Sequence, residues 1–474
     1  MTGTDSENAM LSMLGRINYA YDDKYLIQIN ARRDGSSRFG ENYRYGTFPS
    51  ASVGWRISQE KFMEASQSWL NDLKLRASYG TIGDQQAIGD YDYATYITVG
   101  EGAILGTDQV LNVGAIQKGR SNPNLRWESK TTLNIGVDFT LYDSKIYGSA
   151  EYFTADSKDI LVKLPTSWTD GTDITPWTNF GRVNNKGFEG TLGYREQKSD
   201  FKYNVGLNLT TLKNTVLDLG ASYREGGING VNRSEEGRSV GDFYVVRTAG
   251  IFQSWEEVYA HTFTTTDTIT GLSVSKMIQP KAKPGDIRYT DANKDGKIDK
   301  GDREFVGSPF PAFELGLNLS FEYKNFDVSM FVTGVFGNLI YNNTKFWLER
   351  MDETTNLPKS LVPWTPENHS TTTPRALMGP NDNTLSYSDR WVEKGDYVRL
   401  KNVQIGYNFP KKLLNQTKLI DTCRLFAGAQ NLLTITGYKG YDPEISGGDI
   451  FGKGNDDGHF PPVSSMNIGL QISF

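Results

Sequence analysis

Cysteine is almost missing from this chain: 474 residues carry one, Cys423. No disulfide within the chain and no cysteine-based zinc site can be built from it. Histidine is scarce too, with His261, His369 and His459 only. None of these has a second histidine or a carboxylate at metal-ligand or triad spacing, and no glycine-rich phosphate loop joins a strand to a helix. The chain is therefore not expected to be an enzyme. A basic excess is absent: 50 Lys and Arg against 56 Asp and Glu leave a net charge of -6, the wrong sign for a nucleic-acid partner. Long apolar runs are absent as well. The longest, Phe243 to Val246, falls far short of the ~20 residues that a transmembrane helix requires. The opening residues MTGTDSENA have neither the basic start nor the apolar core of a signal peptide.

What is present is aromatic and alternating. Hydrophobic residues make up only 37%, yet aromatics reach 12%, with 25 Tyr and 24 Phe. In YLIQINARR, Tyr25, Ile27, Ile29 and Ala31 alternate with Leu26, Gln28, Asn30 and Arg32. TTLNIGVDFTL and FELGLNLSFEY repeat the pattern, and SSMNIGLQISF ends the chain on it with Ile468, Leu470, Ile472 and Phe474. A period of two is the signature of a strand with unlike faces. About thirteen such segments occur, more than a typical open sheet holds. The second face carries Arg16, Arg32, Arg56, Lys74, Arg76, Asp138, Glu151, Glu189, Glu314, Glu322 and Arg399. Burying that many charges in a dry core would cost several kcal/mol each unless paired, so this face must meet water. Two architectures fit: a transmembrane barrel with a polar lumen, or a soluble antiparallel sheet with its core on the apolar side.

Loop lengths separate the two. Connections alternate between tight turns, such as Asp22–Asp23 and Asp143–Ser144, and long polar stretches over 82–126, 155–182, 214–310, 338–395 and 433–462. Short turns on one rim and long loops on the other are the rule of outer-membrane barrels. Two connections on the short side, QEKFMEASQSWL and PKKLLNQTKLI, read as helical. Closed antiparallel barrels generally have an even strand count. About thirteen strands therefore point to the carboxyl-terminal part of something larger.

The run YLIQINARRDGSSRFGENYRYGTFPSASVGWRISQEKF, then WLNDLKLRASYGTIGD, NPNLRWESKTTLNIGVDF, NKGFEG, DANKDGKIDKGDREFVGSPFP, GDYVRLKNVQIGYNFP and AGAQNLLTITGYKGYDPE closely resemble the SusC/RagA branch of TonB-dependent outer-membrane transporters from Bacteroidetes. The resemblance implies an all-β fold, with these 474 residues as about thirteen strands of a barrel of about 22, its plug domain and signal peptide lying outside them. It implies a place in the cell outer membrane, in contact with its lipid, and active import of a glycan or peptide. It also implies two partners: a SusD-like surface lipoprotein, and the TonB complex acting through the missing amino-terminal part. The aromatic end Phe474 resembles the assembly signal of such barrels. The rival reading is a soluble, secreted, calcium-stapled β-rich glycan-binding module.

Three groups of residues carry candidate chemistry. In DANKDGKIDKGD, oxygen donors at Asp291, Asn293, Asp295, Asp299 and Asp302, with Gly296 at the sixth place and the Lys297 carbonyl at the seventh, match the spacing of a calcium loop. Asp302 stands where a bidentate Glu is usual, which weakens binding, and the alternative is an ion-free turn rich in Asp, Asn and Gly. Trp168, Trp177, Trp255, Trp347, Trp364 and Trp391 lie in or beside the long loops, where aromatic faces could stack on a sugar or peptide or pack the loops together. Tyr19, Tyr21, Tyr25, Trp55, Tyr79 and Tyr323 near strand ends fit an interfacial girdle.

Overall fold

The protein is described from a computed structural model covering residues 5–474, except 96, 118–121, 164–175, 220–223, 267, 268, 270, 353–355, 380, 415–418 and 446–449. The chain forms two compact units, Met1–Arg195 with Lys213–Ser222, and Glu196–Leu212 with Tyr223–Phe474.

The first unit holds seven long strands: β1 (Met10–Tyr21), β2 (Tyr25–Ser36), β3 (Tyr45–Arg56), β4 (Leu70–Asp84), β5 (Glu128–Leu141), β6 (Ile146–Lys158) and β7 (Arg182–Glu196). Each pairs antiparallel with its chain neighbour. The alternation seen in the sequence becomes rows across the sheet. Ile17 faces Ile29, then Ala51, Tyr79 and Leu133; one residue on, Asn18 faces Gln28, then Ser52, Ser78 and Asn134. A slip of one residue would exchange the two rows, so the unlike chemistry of the faces holds the register. The turn at Asp22 and Asp23 has φ of 52° and 50°. Both lie in the left-handed region, which Asp tolerates better than most residues, in a three-residue connection between the paired Tyr21 and Tyr25.

The apolar rows are the outside. Ile17 is 68% exposed, Tyr79 59% and Ile135 55%, whereas the polar row of β2 is half-buried. No second layer covers them among the described residues. Among the described residues of this unit the apolar rows do not meet one another across a dry interior, as a soluble module with its core on this face would require. The buried core of this unit lies instead at one end of its strands and in the long connections there, where Phe39, Phe48, Ile88, Leu125, Trp127 and Leu161 pack together.

The second unit holds β8 (Phe201–Thr211), β9 (Phe313–Tyr323), β10 (Phe326–Phe336), β11 (Tyr397–Asn408), β12 (Thr422–Thr436) and β13 (Ser465–Ser473), again antiparallel in chain order. Leu425 faces Leu470 and Ala427 faces Ile468, with Leu470 58% and Ile468 80% exposed. Two long connections, between β8 and β9 and between β10 and β11, fold on each other. Short strands Arg224–Gly226, Asn232–Ser234, Asp242–Val246 and Arg303–Gly307 form one small sheet. Val231, Phe243, Val245, Tyr341, Phe346 and Trp391 form the core beneath it. Loops of this length can leave a barrel rim only by burying apolar groups of their own.

The first of the two segments read as helical carries only a short 3-10 helix. QEKFMEASQSWL holds a 3-10 helix at Lys61–Ser66, and PKKLLNQTKLI holds a helix over Lys411–Leu414, next to residues 415–418 that lie outside the described ones. Segments this short cannot sustain a longer helix without a face to bury. No described helix is long and apolar enough to cross a membrane.

Candidate functional site

The polar face of the strands is a wall of paired charges. On β4, Arg76 donates from Nε to Asp138 of β5 at 3.2 Å and pairs with Glu151 of β6. Gly136 lies between, opposite both Arg76 and Glu151, and a Cβ there would stand 3.1 Å from Cζ of Arg76. The second unit repeats the device. Arg424 of β12 reaches Asp327 of β10, Nε to Oδ1 at 3.0 Å, across Gly406 of β11, where a Cβ would stand 2.5 Å from Nη2 of Arg424 and from Oδ1 of Asp327. In both places a glycine is the gap through which a guanidinium crosses one strand to reach a carboxylate. These ion pairs satisfy their own charges, so the wall offers a solute hydrogen bonds and no reactive group. In the first unit it bounds a hollow of about 880 Å³ lined by Arg16, Asn30, Arg32, Asp34, Ser50 and Thr132.

The six tryptophans do not form one site. Trp168 lies outside the described residues. Trp391 is 0% exposed in the core of the second unit, its Nε1 donating to the Leu385 carbonyl at 2.8 Å. Trp364 is buried too, bonded to Gln253 and stacked on His369 at 5.4 Å. Both rings are taken up by packing. Trp177 is half-buried in a two-stranded pairing with Leu161–Lys163, with the Lys163 ammonium 5.0 Å above its ring. Among the described members of this set, Trp255 and Trp347 are the exposed ones, each 49%. Trp255 opens helix α1 (Trp255–Ala260), whose amino end is capped by the Ser254 hydroxyl, and stacks on Tyr259 at 5.7 Å. Trp347 sits on helix α2 (Asn343–Glu349) beneath the guanidinium of Arg350 at 4.7 Å.

The Asp-rich loop closes on its own backbone. The Asp291 carboxylate accepts from the amides of Asp295 and Gly296, Asn293 from Asp295, Asp295 from Lys297, and Asp299 from Gly301. Asp302, fully buried, accepts from Ala292, Asn293 and Asp299, and burial raises its pKa above the ordinary carboxylate value. Gly296 takes φ of 81°, the left-handed turn for which its lack of a side chain suits it. Among the described residues no group of three or more His, Cys, Asp or Glu side chains is gathered to hold a metal ion.

Other polar centres join segments far apart in the chain. Arg399 of β11 is 1% exposed, with Nη2 2.5 Å from Asp442, Nη1 2.6 Å from Glu444 and Nε 2.8 Å from the Thr434 hydroxyl. Lys401 adds a second cation to Glu444 at 2.6 Å. This cluster ties the last outer loop to a strand, and it joins two sequence blocks, GDYVRLKN and GYDPE, whose opposite charges were the available signal. In the second unit's loops Arg375 forks onto Asp286, which also accepts from Asn383. Asp242 is buried, and burial pushes its carboxyl up to about 6.

Comparison with known proteins agrees with this geometry. The family described as "TonB dependent receptor-like, beta-barrel" matches residues 3–432. TonB-dependent receptor P3 of Formosa agariphila is 32% identical over 99% of this chain and 46% of its own length. TonB-dependent receptor SusC of Bacteroides thetaiotaomicron is 28% identical over 100% and 44%. The structure of the RagAB peptide transporter superposes with a TM-score of 0.79 at 24% identity, over 98% of this chain and 48% of that one. The chain thus spans about half the length of the relatives it matches. It belongs to the TonB-dependent receptor-like β-barrel family, a family of transporters and receptors, and its strands are those of a bacterial outer-membrane protein.

Proposed function

We propose that the transporter to which these residues belong imports a nutrient, a glycan or a peptide, across the outer membrane. The nutrient is captured between the outer loops and a SusD-like surface lipoprotein, then released inward when the TonB complex displaces a plug. The chain's part is wall and mouth, not catalysis. One observation carries the reading: exposed aliphatic rows on one face and paired charges on the other, as in Ile17–Ile29 against Arg76–Asp138–Glu151, suit a strand between lipid and a wet lumen. A relative is named as a peptide transporter and another as SusC, which keeps both cargo classes in the proposal. The test is growth of a gene deletion on single glycans and single peptides as sole carbon source. A defect confined to one nutrient and restored by the intact gene is expected, together with co-purification of a surface lipoprotein. Unimpaired growth on every nutrient would sink the proposal.

Calcium at Asp291, Asn293, Asp295, Lys297, Asp299 and Asp302 is a separate proposal, resting on the spacing of the oxygen donors. These residues would hold the ion as a loop staple. Calorimetry on the purified protein should then show calcium binding, and D295A should lose the thermal stabilisation that calcium confers. No heat of binding would leave the ion-free turn as the whole account.

A further inference from the structure

The second unit's outer loops hold a cavity of about 610 Å³ beside the Asp-rich loop, within the size range of small-molecule sites. One side is the strand Thr262–Thr266, the other the segment from Arg288 to Lys294. His261 borders it with Nε2 buried and without a hydrogen-bond partner. An orphan ring nitrogen marks a place where a partner is wanted. Burial, and then the Arg288 charge, hold this imidazole below its ordinary pKa, so at neutral pH it carries one donor and one acceptor.

The cations at the rim are arranged for a guest. The Ala249 carbonyl accepts from Nε and Nη2 of Arg288 at 3.1 and 2.7 Å. That fixes the guanidinium and leaves Nη1 over. Lys294 is exposed and makes no ion pair among the described residues. The acid at the same rim, Asp291, is turned into its own loop, accepting from two backbone amides. Thr262, Thr264 and Thr290 add hydroxyls. Resting on the reading that the outer loops face the nutrient, we propose that this cavity is a subsite for an acidic sugar, its carboxylate held by Arg288 and Lys294 and its hydroxyls by His261 and the threonines. A sugar hydroxyl can donate or accept, and so matches a neutral imidazole in either tautomer. The open Trp255–Tyr259 stack stands on the helix that His261 terminates but does not line the cavity. The neutral imidazole and the threonine hydroxyls select a sugar over an acidic peptide.

The test titrates the full chain, purified in detergent, with glucuronate, glucose and glutamate, read by ligand-observed NMR at low salt. Glucuronate should bind about tenfold more tightly than either of the others, and K294N should remove that preference, as expected for one charge-assisted contact. Lys294 has φ of 60°, a conformation asparagine adopts readily, so K294N keeps the loop; an unchanged melting temperature confirms it. H261F should weaken both sugars alike. Glucuronate binding no better than glucose, glutamate binding as well as glucuronate, or K294N retaining the preference would each overturn the proposal. None of these results alters membrane location or the growth defect of a deletion, so failure here is distinct from failure of the import reading.

Discussion

Trp391 and Trp347 show how little a side chain's identity says about its work. Both are loop tryptophans, yet one ring is 0% exposed with its Nε1 bonded, and the other is 49% exposed under an arginine. Truncating Trp391 to alanine should cost the second unit about 3 to 5 kcal/mol, the usual loss for a large buried ring. Trp347→Ala should leave its melting temperature within about a degree, since surface changes of this kind stay within about 0.5 kcal/mol. Calorimetric scans of the two variants decide it. Asp242 makes a pH prediction. Its folded pKa, up to about 6, lies above the ordinary carboxylate value, so the folded state holds a proton that the unfolded chain has released. The stability from this group is present below about pH 4 and is lost as pH rises to about 6. The loss is about 3 kcal/mol at most. D242N should flatten that part of the stability profile, measured as melting temperature at pH 5 and pH 7.5. Neither role is legible in the sequence, where both tryptophans and dozens of carboxylates look alike; burial separates them.

The strand is where local pattern and structure coincide. Each of the thirteen long strands was visible as alternation, because pleating sends successive side chains to opposite faces whatever the neighbours do; of the twelve connections, six on the short side and five on the long side fall where composition placed them, and the sixth on the long side, between β2 and β3, was not singled out. An arginine on the aliphatic face should therefore be punished by depth. V137R and L470R are expected to cost about 2 to 4 kcal/mol near mid-bilayer, while S78R on the polar row should be nearly neutral; folding titrations into lipid vesicles measure both. If L470R folded as well as S78R, the two faces would be wrongly assigned. The proposed assembly role of Phe474, 88% exposed beyond the end of β13, predicts that deleting it lowers the yield of inserted barrel severalfold. Ligand affinity of the inserted fraction should not change, as a binding assay on that fraction would show. The segments read as helices were less legible, since a helix needs a length and a buried face that a short turn between strands does not provide.

At the scale of the molecule, two kinds of structure share one chain: long strands with exposed apolar rows, and long connections with buried cores at Phe39–Trp127 and at Phe243–Trp391. Fractionation of cells should find the protein with the outer membrane and soluble only in detergent. From sequence alone came the strands, their two faces, the lengths of the connections and the family, because partition between hydrocarbon and water acts on each strand separately and leaves a period of two. Only the tertiary structure decided that Arg399 locks onto Asp442 and Glu444, that Gly136 and Gly406 open paths for guanidinium groups, and that His261 borders a cavity while its buried Nε2 has no partner. Those contacts join residues tens of positions apart, and no local periodicity records which distant segment a loop will meet.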